Sequence, residues 1–277
     1  MDDRRDAGRS VFWTTLALLL GLVVAFPFLW MILTSLKTYG EANAYPPTVL
    51  PATPTLGNFP EVFRECPLFG RYILNSLFVA FLTTGLVIVT SALAGYGLGR
   101  FKFRGEGVLF GAVLASLFIP FEVTLIPNYR LIQALKLKDT YAALVLPWGA
   151  SALGIFLVRQ FFRSLPSDVW DAARLDGCGH FRFLWRIALP MAKAPLFAVA
   201  VWTFLGSWNS LLWPLVVTDS PEMRTLAVGV KFFLDAEQAR PHVLMAGAAL
   251  SLLPIALLYL FLGRRILESQ AAWSPGG

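Results

Sequence analysis

The residues of this chain that could do chemistry lie within or beside long apolar segments. Glu122 is the only Asp, Glu, Lys, Arg or His residue inside any of the six segments given below. A charged residue at the centre of a bilayer costs roughly 2.5–3.5 kcal/mol, so Glu122 is a candidate for a role in a solute pathway. The alternative is a protonated or water-exposed Glu122 near the interface, bonded to backbone groups that Pro120 and Pro127 leave free.

A second group of candidates is aromatic. The fifth apolar segment contains Trp202, Phe204, Trp208, Asn209 and Trp213. Aromatic rings beside an amide suit the apolar face and the hydroxyls of a sugar. Aromatic residues at helical spacing also pack against neighbouring helices or form belts at the membrane interface. The sequence leaves both interpretations open, and it makes Glu122, Trp202, Trp208 and Asn209 candidate residues of a solute path.

Other chemistry is not indicated. Two Cys and two His residues are too sparse for a metal site, and His180 and His242 are expected to be solvated or to cap helices. No Ser/His/Asp or Cys/His grouping supports catalysis, and the dipeptide Gly-Lys of a phosphate-binding loop does not occur. The basic residues sit between apolar runs, which argues against nucleic acid. We therefore expect no enzyme activity and no metal or cofactor in this chain.

The elements that must position these residues follow from hydropathy. The chain is 57% hydrophobic and 14% charged, whereas a soluble domain carries about 25% charged residues. Each apolar segment is near or above the roughly 18–20 residues that cross a bilayer, and backbone groups in lipid must pair within helices. We predict an all-α integral membrane protein with one transmembrane domain over residues 1–277, whose first span is retained. The six predicted spans are 11–36, 72–99, 107–127, 141–158, 196–217 and 243–262.

Loop charges predict the orientation. The two termini, the 100–106 turn and the 159–195 loop together hold fourteen Lys and Arg residues, and the three opposite loops hold nine. Positively charged loops stay on the cytoplasmic side. Both termini and the 159–195 loop are therefore predicted to be cytoplasmic. The Pro-rich stretch 46–60 is predicted to be an ordered external loop or a polyproline II segment.

The segment 163–195 predicts two short helices. Ser167 is placed as the N-cap of the first helix. Val169, Ala172 and Ala173 share one face of that helix, and the small alanine side chains would let the backbone of another protein approach closely. Gly177 and Gly179 end that helix because glycine tolerates positive φ. The second helix, roughly 181–188, is expected to turn Phe181, Leu184, Trp185 and Ala188 to one side, and Pro190 is expected to stop it.

This segment resembles a known sequence pattern. Asp171-Ala172-Ala173, Asp176-Gly177, Ile187-x-Leu189-Pro190 and Pro195 are similar to the EAA loop of binding-protein-dependent ABC importer permeases, which reads E-A-A-x-x-D-G-A and then I-x-L-P. Asp171 replaces the usual Glu, and Cys178 replaces a small residue. Four further segments resemble the carbohydrate-uptake branch and its maltose-type second permease: 75–77, 96–103, 119–121 and 208–215. The tail after Arg265 departs from that pattern.

The resemblance implies a type I, maltose-type permease fold that works by alternating access, with the loop acting as a coupling helix. Asp171 would pair with a basic residue of a separate ATPase, Ala172 and Ala173 would form the close contact, and Gly177 would permit the turn. Asp176 would belong to the same docking surface, and Leu189-Pro190 would anchor the next element. The implied partners are a second six-span permease, two ATPase subunits that hold ATP and Mg, and an extracytoplasmic solute-binding protein.

The identity of the solute stays open. Sugars are the first expectation, and glycerol phosphate and polyols are alternatives, while the resemblance also allows the partner permease to hold most of the sugar. A stand-alone channel or secondary carrier is a further alternative. It is disfavoured because the two halves of the chain show no internal repeat of the kind that commonly builds such carriers.

Overall fold

The computed structural model describes the backbone of residues 3–234 and 240–271, and the side chains of residues 12–231 and 240–260. All the secondary structure in these ranges is helical. The C-terminal tail after Arg265, which departs from the family pattern, has its side chains outside the described residues. The α-helices are α1 (Asp3–Ser35), α2 (Tyr39–Ala42), α3 (Asn58–Glu65), α4 (Phe69–Arg100), α5 (Glu106–Ser116), α6 (Phe121–Ala134), α7 (Tyr141–Val145), α8 (Ala152–Ser164), α9 (Ser167–Leu175), α10 (His180–Phe183), α11 (Leu189–Met191), α12 (Lys193–Trp208), α13 (Leu212–Val217), α14 (Leu226–Leu234) and α15 (Pro241–Ala271).

Three of the predicted spans are continuous helices. The stretches Phe12–Ser35, Phe69–Arg100 and Pro241–Leu260 are each long and apolar enough to cross a membrane. They correspond to the predicted spans 11–36, 72–99 and 243–262. The described helices provide up to six crossings if each of three bent helix pairs counts as one.

The other three predicted spans are not single straight helices. The span 107–127 breaks before Pro120, where α5 and α6 meet at 100°. Pro120 has an extended backbone with ψ of 144° and cannot donate a helical hydrogen bond, so α6 starts after it. The span 141–158 bends by 47° around residues 149–151, and the span 196–217 is interrupted between Trp208 and Leu212. Hydropathy alone does not detect such breaks.

The chain forms two compact units, residues 1–69 with 230–277 and residues 70–229. In the first unit, α15 packs against α1 and α3. Asn58 is buried there and donates to the carbonyl oxygens of Ser35 and Lys37, both at 2.8 Å. Glu41 accepts from the backbone N–H groups of Ala52 and Thr53 at 3.0 and 3.1 Å. These bonds order the loop that follows α1, as the sequence predicts for its Pro-rich stretch.

The second unit depends on close packing between α4 and α8. A Cβ added to Gly95 would lie 2.9 Å from Val158 Cγ1 and 3.0 Å from the backbone nitrogen of Arg159. A Cβ on Gly99 would lie 3.3 Å from Phe162 Cβ, whereas one on Gly97 would meet nothing within 4 Å. Gly95 and Gly99 therefore allow the two backbones to approach.

Candidate functional site

The hairpin formed by residues 165–192 contains most of the docking residues named from the sequence. Its first helix, α9, begins after Pro166, whose ψ is 142°. The predicted N-cap, Ser167, is instead the first helical residue, and its hydroxyl donates to Asp168 Oδ1 at 3.2 Å. Placing the cap at Ser167 was wrong because the extended backbone of Pro166 already turns the chain into the helix.

Helix α9 ends in a Schellman motif centred on Gly177. Gly177 has φ of +72°. The N–H of Cys178 donates to Ala173 O at 2.9 Å, and the N–H of Gly177 donates to Arg174 O at 3.0 Å. The prediction that Gly177 ends the helix at positive φ is confirmed. Gly179 has φ of −77° and starts the next helix, so it does not share that role.

The face that α9 turns outward differs from the predicted one. Ala173 is only 5% exposed and packs with Val169 against the core formed by α4, α8 and the second half of the hairpin. Ala172 and Asp171 are exposed, and Leu175 is 89% exposed. The prediction of one shared face open to another protein was wrong for Val169 and Ala173, because those two residues cover the protein's own core.

The second half of the hairpin is irregular. A π-helical turn spans Leu184–Ala188 between α10 and α11. Its wider turn buries Phe183, Leu184 and Ala188, whereas Phe181 is 73% and Trp185 41% exposed, so the predicted common face is wrong for Phe181 and Trp185. Pro190 does not stop the helix, which continues to Met191 and bends at Ala192 by 79°. Leu189 is partly buried, and Asp176 and Pro190 are exposed.

His180 connects the hairpin to α4. Tyr96 OH and His180 Nδ1 are 2.9 Å apart, and the rings of His180 and Trp170 are stacked with centroids 4.2 Å apart. The imidazole therefore bridges the two halves of the hairpin and the end of α4. The sequence did not reveal this contact, since Tyr96 and His180 are far apart along the chain.

A buried ion pair lies next to this contact. Arg159 is 4% exposed, donates through Nε to Leu98 O at 3.0 Å, and donates through Nη2 to Glu106 Oε1 at 2.6 Å. Its guanidinium also lies 3.7 Å from the centroid of the Phe110 ring. The pair joins α4, α5 and α8. Both charged residues fall just outside the predicted spans, which is why the search for charges inside the spans missed them.

A cavity of about 270 Å³ lies in the second unit, beside two interruptions of the helical backbone. One interruption is the bend around residues 149–151, and the other separates α12 from α13. None of the described residues that line the cavity carries a charge. The lining contains three indole rings and five hydroxyl groups, those of Trp148, Trp202, Trp213, Thr83, Ser151, Thr203, Ser207 and Ser210.

Of the four predicted path residues, one is among the described residues that line the cavity. Trp202 lines the cavity. Trp208 is buried and stacks on Phe204, with ring centroids 6.2 Å apart, whereas Asn209 is exposed at the end of α12. Glu122 is exposed in the first turn of α6 and is not among the described residues of the lining. Roles for Trp208, Asn209 and Glu122 stay predictions.

Asn75 holds the segment before α14 against α4. Its side-chain amide donates to the carbonyl oxygens of Glu222 and Arg224 at 2.8 and 2.9 Å, and its Oδ1 accepts from Tyr141 OH at 2.7 Å. Asn75 is 3% exposed. The neighbouring Ser76 hydroxyl accepts from the Leu226 N–H at 2.8 Å. Asn75 and Ser76, which belong to the segment 75–77 that carries part of the family resemblance, therefore order the segment 222–226.

Asp139 holds the adjacent loop. Its φ is +62°, and its Oδ1 accepts from the backbone N–H groups of Asp219 and Ser220 at 3.0 and 3.1 Å. Partial burial acts to raise the pKa of Asp139, but the hydrogen bonds from Ser220 and Asp219 outweigh it and lower that pKa below its usual 3.8. The carboxylate is therefore favoured in the folded loop.

Comparison with known proteins adds independent information. Residues 88–269 match the family described as binding-protein-dependent transport system inner membrane component. The chain is 34% identical to an arabinooligosaccharide transport system permease of Halalkalibacterium halodurans, over 88% of each chain. It is 31% identical to the sulfoquinovosyl glycerol transport permease of Agrobacterium fabrum, over 89% of this chain and 87% of that one. It is also 31% identical to the sn-glycerol-3-phosphate permease of Yersinia pestis, over 95% and 96%.

A solved structure has a similar fold. A bacterial ABC transporter involved in the import of the acidic polysaccharide alginate superimposes with a TM-score of 0.81, over 92% of this chain and 96% of that one. The two sequences are 20% identical. The similarity to this structure therefore concerns the fold alone.

Proposed function

The chain belongs to the family of binding-protein-dependent transport system inner membrane components, and from that membership we propose that it forms half of the membrane pathway of an ATP-driven sugar importer. It has the helical permease fold of ABC importers and is a transport subunit rather than an enzyme. The observation that carries the sugar assignment is the similarity, over almost the whole length of both chains, to the arabinooligosaccharide permease.

The proposal includes the partners and the arrangement in the membrane. The chain crosses the membrane six times, with α5 and α6, α7 and α8, and α12 and α13 each acting as one crossing, and both termini and the hairpin 165–192 face the cytoplasm. The excess of Lys and Arg in those loops supports this orientation. A second permease completes the pathway, two ATPase subunits hold ATP and Mg, and an external binding protein delivers the solute. In this assembly residues 1–277 act as a single transmembrane domain.

The hairpin is the proposed docking element for the ATPase. Asp171, Ala172 and Leu175 are exposed on α9 and Asp176 is exposed at its C-cap, so these side chains are available to a partner. Ala173 and Gly177 contribute indirectly: Ala173 packs the helix onto the core, and Gly177 closes its C-terminus. Leu189 and Pro190 connect the hairpin to α12, the next membrane helix.

A phosphorylated polyol is the second candidate solute. The glycerol-3-phosphate permease is similar to this chain over 95% of its length. An uptake assay with both classes of solute separates the candidates.

The experiment uses the complete importer, co-purified with its partner permease, ATPase and binding protein and reconstituted in liposomes. Tritiated arabinotriose, maltotriose and sn-glycerol 3-phosphate serve as probes, with and without internal ATP. We expect ATP-dependent uptake of a sugar. Uptake at the same rate without the ATPase would overturn the importer assignment, and exclusive uptake of glycerol phosphate would replace the sugar by the second candidate.

The same assay tests the hairpin. Asp171→Ala should reduce ATP-dependent uptake, whereas Asp171→Glu, which restores the residue usual in the family, should keep it because the negative charge is retained. If Asp171→Ala couples ATP hydrolysis to uptake as well as Asp171→Glu does, Asp171 has no part in docking.

A further inference from the structure

The cavity in the second unit has the features of a binding site within the pathway. It lies where two membrane helices are interrupted, at residues 149–151 and between α12 and α13. Interrupted helices are tolerated at membrane depth where their backbone lines a cavity, and transporters use such breaks to build solute sites. Ser151 and Ser210 lie at these two breaks, so both interruptions contribute a hydroxyl to the lining.

One buried hydroxyl of the lining lacks a partner. Thr83 is 2% exposed, and its Oγ1 forms no hydrogen bond with any described residue. A buried hydroxyl without a partner is unfavourable, and a bound molecule that supplies the missing hydrogen bond removes that penalty. Other described hydroxyls also lack a partner, but Thr83 is the one among them that lines the cavity, where a bound molecule with hydrogen-bonding groups would supply it.

The aromatic residues of the lining differ in their freedom. Trp213 is 1% exposed and its indole N–H already donates to Ala143 O at 3.0 Å, so it forms a fixed wall. Trp202 is 69% exposed and leaves its ring available for stacking. An indole face suits a ring that is apolar on one side, while the hydroxyls suit a ring that carries hydroxyls on its edge. A sugar ring has both properties.

The charge of the lining and the size of the cavity restrict the class of ligand further. No Lys, Arg, His, Asp or Glu is among the described residues of the lining, so an anionic group bound here would be left without a counter-charge. The volume of about 270 Å³ lies below the roughly 300–1,000 Å³ of pockets for drug-sized ligands. The space fits one ring of an oligosaccharide rather than several.

We propose that this chain itself binds one uncharged sugar ring of the transported solute, stacked on Trp202 and hydrogen-bonded to Thr83. The proposal rests on the sugar-importer function and adds to it a solute site in this permease. It also predicts that the importer prefers neutral sugars to anionic solutes.

The test uses the reconstituted importer and the three probes named above. Thr83→Val removes only a hydroxyl that has no partner among the described residues, so the variant should fold with unchanged thermal stability. Trp202→Ala removes the stacking ring, and Trp202→Phe keeps an aromatic face. The matched controls are Thr34→Val, which removes another buried hydroxyl without a partner among the described residues, and Trp13→Ala, which removes an exposed indole of α1.

We expect Thr83→Val and Trp202→Ala each to lower the uptake of the neutral sugar at subsaturating concentration by about 5–10-fold, in line with the loss of one hydrogen bond or one stacked ring. Trp202→Phe should recover most of the activity, and both controls should stay within about twofold of the wild type. If the wild type imports a neutral sugar and both cavity variants match it, the cavity is not a solute site, while the importer function stands.

Two further outcomes are informative. If the wild type imports glycerol phosphate in preference to both sugars, the uncharged-ring proposal is overturned and the importer function is kept with another solute. If the wild type imports none of the three probes with ATP, the sugar-importer function fails, and the sugar site fails with it.

Discussion

Replacing Gly177 by alanine tests whether the hairpin depends on a left-handed residue at the end of α9. Gly177 has φ of +72°, and a Cβ there would meet nothing within 4 Å. Any effect of Gly177→Ala therefore comes from backbone strain and not from a clash. An L-residue in the left-handed region costs roughly 1–2 kcal/mol.

Gly179 is the matched control. A Cβ on Gly179 would also meet nothing within 4 Å, but its φ is −77°. Both substitutions reduce the freedom of the unfolded segment by the same amount, because both replace glycine by alanine. The difference between Gly177→Ala and Gly179→Ala therefore isolates the strain.

Hydrogen exchange measured by mass spectrometry reads the strain directly. The N–H of Cys178 donates to Ala173 O, so its exchange reports opening of the helix end. A strain of 1–2 kcal/mol should make exchange in the peptide around Cys178 about 5–30-fold faster in Gly177→Ala than in Gly179→Ala. ATP-dependent uptake should fall in the first variant only. Equal exchange in the two variants would refute the reasoning, since it would show that the left-handed backbone at Gly177 is not needed.

Four further substitutions test three contacts of the second unit. Glu106→Ala leaves the buried Arg159 charge uncompensated and should lower the free energy of unfolding by about 3–5 kcal/mol. Arg159→Met leaves a partly exposed Glu106 in contact with water and should lower the free energy of unfolding less. Thermal unfolding of the purified permease compares the two variants. Asn75→Leu loses three hydrogen bonds and should cost about 2–4 kcal/mol in the same measurement. Because the pKa of Asp139 is lowered in the folded protein, its carboxylate contributes to stability above pH 3.8, and this contribution is lost as the pH falls through the pKa of the folded state. The difference in stability between wild type and Asp139→Asn should therefore shrink from pH 5 to pH 3.

Each of these predictions has a result that contradicts it. If Arg159→Met unfolds more readily than Glu106→Ala, the uncompensated Arg159 charge is not the larger cost of breaking the ion pair. Asn43 is the control for Asn75, since it makes one exposed bond to Tyr39 O, and equal losses in Asn43→Leu and Asn75→Leu would refute the role of burial. A difference between wild type and Asp139→Asn that stays constant with pH would show that the carboxylate is not favoured in the fold.

Hydropathy predicted where the chain is apolar, but not where its helices bend. Three spans are continuous helices as expected, because a long apolar run without an internal break has no alternative in lipid. The breaks at residues 149–151 and between α12 and α13 contain only a few small or polar residues, Gly149, Ser151, Asn209 and Ser210 among them, so an average of hydropathy over a whole span does not reveal them. Pro120 did carry a local signal, since proline removes a backbone donor and favours a break, although Pro27, Pro127 and Pro254 lie inside continuous helices.

The hairpin shows a second limit of sequence reasoning. The glycine rule located the end of α9 at Gly177, because positive φ is a local property of one residue. The direction of Ala173 was not predictable in this way, because periodicity identifies residues on one face without telling which surface that face covers. The contacts Tyr96–His180 and Arg159–Glu106 join distant parts of the chain, and pairing of that kind is decided by tertiary packing.

The unbroken helix α4 has a mechanical consequence. Its 32 residues extend over roughly 48 Å, at about 1.5 Å per residue. Near its start Asn75 is bonded to the segment 222–226, and near its end Tyr96 is bonded to His180. A displacement of the hairpin would therefore reach the segment 222–226 through rigid-body movement of α4, without successive side-chain rearrangements along the helix.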